Sequence, residues 1–181
     1  KGQAETGLLR KMLDRLLPTD ILVMDRFFTS AYLLLQIQKR QMSFVTRLRD
    51  RTAKDLIKKF KVRSNDGLAT LSGHSLSSYE EDVNIGREIE IRIIKSTIQR
   101  QGFRSKNLYI ATNMFSEPKS EIEIIYADRW GIEVAFRNLK NTMGLSFIKA
   151  KTPAMVEKEI WVALMTYNLI ISAITITKLF F

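Results

Sequence analysis

The chain of 181 residues contains no cysteine and one histidine, His74. Disulfides, thiolate zinc sites and thiol nucleophiles are thereby excluded, and the composition fits a reducing compartment. A single histidine rules out a histidine-rich metal centre and most Ser-His-Asp schemes. It sits in the polar run SGHSLSS, which reads as a loop. There is no signal-peptide pattern, no internal repeat and no low-complexity tract. Acidic residues are also short, with 19 Asp and Glu against 29 Lys and Arg, for a net charge of +10. That balance favours a polyanionic partner, and nucleic acid is the commonest; the plain alternative is a basic soluble domain without one.

Hydrophobic residues make up 45% of the chain, enough for a real core in one domain, or in one domain with an insertion. The sequence begins at Lys1 and stops at Phe181 within an apolar helical pattern, so both ends read as cut. Ile160 to Thr177 carries no formal charge over about 18 residues, the lower limit for a membrane span. Thr166, Asn168, Ser172, Thr175 and Thr177 interrupt it, so it reads as a buried helix and no membrane partner is expected.

Taken in order, Ala4 to Leu17 has helical spacing of Leu8, Leu9, Met12, Leu13, Leu16 and Leu17, ended by Pro18 to Asp20. Ile21 to Met24 is an apolar run typical of a buried strand, and Asp25 follows it. Thr29 or Ser30 can cap a helix to about Arg40, and Ser43 to Leu48 reads as a strand. This alternation predicts an α/β fold with at least two parallel strands. Arg47 to Arg63 is strongly basic and suits either a phosphate backbone or a solvated helix face. Residues 64–112 change to an antiparallel β pattern: a turn at Asn65 to Gly67, a strand at Glu88 to Ile94, a turn at Gln101 and Gly102, and a strand at Asn107 to Ala111. Ser116 to Pro118 opens a helix that ends near Gly144. Pro153 precedes a last helix whose Trp161, Leu164, Met165 and Asn168 are expected to pack on the sheet.

The stretch Tyr126 to Lys140, YADRWGIEVAFRNLK, organises the rest. At about 100° per residue, Tyr126, Arg129, Glu133, Arg137 and Lys140 share a strip roughly 80° wide. Ile125, Ile132, Phe136, Leu139 and Met143 form a neighbouring apolar stripe, read as core. A lone carboxylate among cations suits a metal ion held beside a phosphate. A carboxylate at the carboxyl end of a buried strand, as at Asp25, stands where open α/β sheets place their chemistry; its plain alternative is a helix cap or a partner for Arg26. Two-metal phosphoryl transfer brings carboxylates together around ions about 3.5–4 Å apart. Oxygen ligands suit Mg²⁺ or Mn²⁺, and Asp25 and Glu133 can supply two of the carboxylates. The cations flanking Glu133 would then hold DNA phosphates.

The spacing Tyr126-x2-Arg129-x3-Glu133-x6-Lys140 resembles the signature of the DDE transposases of bacterial insertion sequences, in the insertion-sequence-four family. ILVMDRFF around Asp25 is similar to the family's second-Asp motif, and LYIATN at Leu108 to Asn113 to the strand before the signature helix. The resemblance runs from about Ala4 to Thr175. It implies an α/β, ribonuclease H-like core at residues 1–49, a β-rich insertion at 50–112 and the C-terminal core helices at 113–181. It also implies Mg²⁺-dependent nicking at element ends and joining of the 3′-OH to target DNA, with Asp25 and Glu133 as catalytic, metal-binding residues. Tyr126, Arg129 and Lys140 match DNA-contacting positions. Trp130 is placed to stack on a displaced base, with a buried core tryptophan as the alternative. The implied partners are transposon-end and target DNA, with a homodimer in a synaptic complex, in the bacterial cytoplasm at the nucleoid.

The family's first Asp lies on the first strand of the fold, and the residues before Asp25 offer no counterpart. Asp14 and Asp20 fall on a helix and its turn, so the first strands are expected to be missing and the fragment inactive alone. Two other readings compete. One is a catalytically dead DNA-binding remnant of a decayed element. The other is a basic α/β domain whose Arg129–Glu133–Arg137 ladder is structural.

Overall fold

The computed structural model describes residues 5–62, 65–73, 88–100 and 103–180. The loop expected at His74, the basic Arg63 and the turn at Gln101 and Gly102 lie outside the described residues. The chain forms two compact units, Lys1–Ala127 and Asp128–Phe181.

The first unit begins with helix α1 (Glu5–Leu13), four residues shorter at its carboxyl end than its apolar spacing predicts. Tight turns take over there: the Arg15 N–H donates to the Met12 carbonyl and the Leu16 N–H to that of Leu13. Asp20 Oδ2 then accepts the Leu17 N–H at 2.8 Å, and Pro18 has no N–H to continue a helix. Strand β1 (Ile21–Met24) pairs in parallel with β2 (Ser43–Arg47). Helix α2 (Ala31–Lys39) makes the crossover, capped by Ser30, whose Oγ accepts the Leu33 N–H at 3.3 Å. Helix α3 (Asp50–Lys59) leads to β3 (Asp66–Ser72), β4 (Glu88–Arg100) and β5 (Phe103–Thr112). β5 pairs antiparallel with both β2 and β4, giving one five-stranded sheet in the order β1-β2-β5-β4-β3. The β-rich stretch thus extends the sheet that β1 and β2 begin.

Strand alternation sorts the core into two layers. Leu22, Met24, Phe44, Ile89, Ile91, Ile93, Tyr109 and Ala111 share one cluster with Leu13, Leu34, Ile37, Ala53 and Leu56 from α1 to α3. Val45, Ile94, Leu108 and Ile110 share the other with Ile122 and Tyr126 of α4 (Lys119–Asn141). β1 is an edge strand, and Ile21 is exposed, so it is half-buried where its apolar run suggested full burial. Asp66 and Gly67, expected in a turn, begin β3 opposite Ile94 and Ile93. Gly67 is required by a close approach: a Cβ there would stand 2.7 Å from Val62 Cγ1.

The second unit contains the rest of α4 and α5 (Pro153–Phe180). Gly144, at φ +73°, ends the turn after α4, where the Leu145 N–H reaches back to the Leu139 carbonyl. Glu159 accepts the backbone N–H groups of Lys149 and Ala150 and ties the connection to α5.

Three sequence expectations fail in the helices. Ile132 and Phe136, read as core, are exposed, whereas Leu139 is buried. An apolar stripe marks a face to be covered, and among the described residues nothing covers those two side chains. Trp161, Met165 and Asn168, expected to be packed, are likewise exposed. α5 is also not a buried helix: Pro153–Thr177 is long and apolar enough to cross a membrane, and of its 18-residue window of mean hydropathy 1.7 only 6% is buried. Its threonines had argued for a buried place among polar partners. Their hydroxyls instead bond within the helix, Thr166 to Val162, Thr175 to Ile171 and Thr177 to Ala173, so they satisfy themselves in any surroundings.

Candidate functional site

Asp25 stands at the carboxyl end of β1, where the chain leaves the sheet for a 3₁₀ turn (Arg26–Phe28). Its Oδ1 accepts the Arg26 N–H at 2.7 Å, and the buried Thr46 hydroxyl donates to its carbonyl oxygen at 3.3 Å. The cap reading is therefore correct as structure. It leaves function open, because an ionised carboxylate offers about four acceptor sites and the cap uses one. By alternation with Ile21 and Val23, residue 25 belongs to the α4 side of the sheet.

α4 crosses the division between the units, with Tyr126 in the first and Arg129, Trp130, Glu133 and Lys140 in the second. Tyr126 is 6% exposed and packs with Val45, Ile94, Leu108 and Ile122. The strip assigned from periodicity therefore starts in the core and emerges one turn later. Arg129 Nη1 donates to Glu133 Oε1 at 2.6 Å, the first rung of the expected ladder. Among the described residues no second rung joins Glu133 to Arg137. Trp130 is 43% exposed, against the buried alternative, and Lys140 is exposed in the last turn.

Each unit holds one of the two candidate carboxylates, Asp25 in the first and Glu133 in the second. Both offer oxygen donors of the kind Mg²⁺ and Mn²⁺ take. Among the described residues no group of three or more Asp, Glu or His side chains is gathered to hold a metal ion.

One residue of consequence escaped the sequence reading. Arg92, in the Glu88–Ile94 strand, has a side chain only 12% exposed. It grips Asp66 with Nε and Nη2, and its Nη1 donates to the carbonyls of Met114 and Glu117 at 3.3 and 2.6 Å. It therefore holds the segment that leads into α4. The signal was Ile94, which shares Arg92's face in EIEIRII and is fully buried.

A sheet with helices on both faces, a strand-end Asp and a helix mixing one carboxylate with several cations defines a basic α/β domain suited to a phosphate-bearing polymer. A model of the "Transposase DDE domain" family matches residues 2–169, and the chain belongs to that family. It is also 34% identical over 88 residues to "Transposase InsG for insertion sequence element IS4" of Escherichia coli (strain K12). That alignment covers 48% of this chain and 20% of the relative. The likeness places the chain with the DDE transposases of that insertion-sequence family.

Proposed function

We propose that the chain is part of a transposase that cuts the ends of an insertion element and joins the freed 3′-OH to target DNA. The observation that carries this reading is the Tyr126–Lys140 helix of a DDE-family chain, on which Glu133 is held in place by Arg129 at 2.6 Å. In this reading Asp25 and Glu133 hold Mg²⁺ or Mn²⁺, which when bound supplies Lewis-acid activation of the attacking and leaving oxygens.

The chain's own residues prepare that chemistry. The Arg26 N–H and the Thr46 hydroxyl fix Asp25 at the strand end. Arg129 orients the Glu133 carboxylate and adds a guanidinium suited to phosphate oxygens. Lys140 adds a second phosphate contact, and the exposed Trp130 ring is available to stack on an unpaired base. Tyr126 anchors the helix through the core at the strip's beginning. Residues 50–112 serve as an insertion in a ribonuclease H-like core. Joining two element ends calls for two copies, so the proposal includes a homodimer on DNA in the bacterial nucleoid.

The test is Mg²⁺-dependent cleavage and joining of DNA carrying the element's ends by a transposase in which this chain is joined to the region expected to carry the first Asp, compared with its Asp25→Ala and Glu133→Ala variants. Loss of both steps in both variants supports the assignment. Full activity of the Glu133→Ala protein would sink it. Salt-sensitive DNA binding without any cleavage would leave the reading of a decayed, DNA-binding remnant.

A further inference from the structure

The first unit carries a second cationic feature outside the Tyr126–Lys140 helix. A groove of about 310 Å³ opens between α3 and the sheet, with Lys54 and Lys58 on one wall and Lys95 of β4 on the other. Asn65, Ile93 and Tyr109 complete its floor and rim. Lys54 and Lys58 are one helical turn apart and exposed, and Lys95 is half-buried beside Tyr109, its partner in the β4–β5 ladder. Among the described residues none of the three lysines is in an ion pair, whereas Arg47, Arg92 and Lys119 each face a carboxylate. Three ammonium groups around one concavity repel one another unless an anion sits between them.

The register places this groove at a useful level. Met24 lies opposite Thr46, Arg47 opposite Ile110, and the Leu48 N–H bonds the Tyr109 carbonyl. Tyr109 in turn faces Lys95. The groove and Asp25 therefore share the rim formed by the carboxyl ends of β1 and β2. Three strand spacings separate β1 from β4, about 14 Å. Asp25 stands on the α4 face of the sheet and the groove on the α3 face, so the groove is a contact of its own beside that rim.

We infer that the Lys54–Lys58–Lys95 groove is a phosphate-backbone seat for duplex DNA, separate from the cations of the signature helix. Lysines act there as hydrated point charges without the fork that reads bases, so the contact positions DNA without selecting sequence. The inference rests on the transposase reading only in taking DNA as the polyanion.

The experiment is duplex binding by the 181-residue chain as a function of salt, for the wild type and the Lys54→Gln/Lys58→Gln/Lys95→Gln variant. Each lost phosphate contact lowers the slope of log K against log salt by about 0.9, so a fall of roughly 2–3 is expected. A Lys→Arg variant at the same three positions should keep the wild-type slope. Lys11→Gln/Lys39→Gln/Lys158→Gln, with the same change in net charge, should also keep it. If the triple Gln variant fails to fold, Lys58→Gln alone should lower the slope by about 1. An unchanged slope in the groove variants, or an equal fall in the control, would overturn the groove while leaving DNA as the substrate. A wild-type chain that binds no DNA at low salt would overturn both readings together.

Discussion

Arg92 and Asp66 form a two-pronged pair across β4 and β3, with Nε to Oδ1 at 2.7 Å and Nη2 to Oδ2 at 2.6 Å. The third nitrogen of the same guanidinium reaches the backbone just before α4. One side chain thus joins the outer edge of the sheet to the start of the helix that bears the family signature. Arg92→Ala should destabilise the chain by about 3 kcal/mol, because it removes both prongs on the Asp66 carboxylate and the donor to the Met114 and Glu117 carbonyls. Arg92→Lys should recover only part, since an ammonium cannot span both carboxylate oxygens and the carbonyls. Urea unfolding checks both.

The pair also predicts a response to acid. The hydrogen bond from Arg92 holds the Asp66 carboxyl below its ordinary value of 3.8, against the opposing effect of burial. A lowered folded pKa gives stability that is complete above the unfolded value and disappears as pH falls through the folded one. The wild type should therefore exceed Asp66→Asn in Tm at neutral pH, with the gap closing below about pH 4. A gap that failed to narrow at all as pH falls below about 4 would show that the pair's charge is not its source.

Tyr126 can be divided into ring and hydroxyl. The ring is buried among Val45, Ile94, Leu108 and Ile122, so Tyr126→Ala should cost about 3–5 kcal/mol of stability. Tyr126→Phe preserves the packing and removes only the oxygen. If the hydroxyl serves DNA, Tyr126→Phe should weaken DNA binding beyond any loss of Tm. Equal DNA affinity for the two proteins would confine Tyr126 to the core.

Trp130 is exposed, so its replacement should be felt by the ligand more than by the fold. Trp130→Ala should lower affinity for DNA with an unpaired base by about 1–3 kcal/mol, the usual worth of one stacked base. Fluorescence quenching of Trp130 on titration with such DNA, read against the other tryptophan, Trp161, through Trp161→Phe, measures the same contact directly.

The local elements were largely legible. Ile21 to Met24 is a strand over its whole apolar run, Ser30 caps α2, and Pro118 stands just ahead of α4, because each depends on neighbouring residues alone. The parallel pairing of β1 and β2 followed from helix-strand alternation. The family signature was equally legible, since its four residues lie on one helix at fixed spacing.

Burial was not legible, because it depends on what stands opposite. Periodicity put Tyr126 on an ionic strip and Phe136 in the core; in the fold that end of the strip is buried and Phe136 is exposed. The Glu88–Ile94 alternation by itself did not mark Arg92 as enclosed; β3 and the chain before α4 close over it. The lysines of α3 read equally well as a solvated face, and only the sheet register set Lys95 beside Lys54 and Lys58. By itself, then, the sequence determined element identity and the spacing of the signature, through local sterics, capping and helical period. Which side chains are buried, paired or gathered around a groove was decided by contacts between segments far apart in the chain, and those exist only once the sheet has formed.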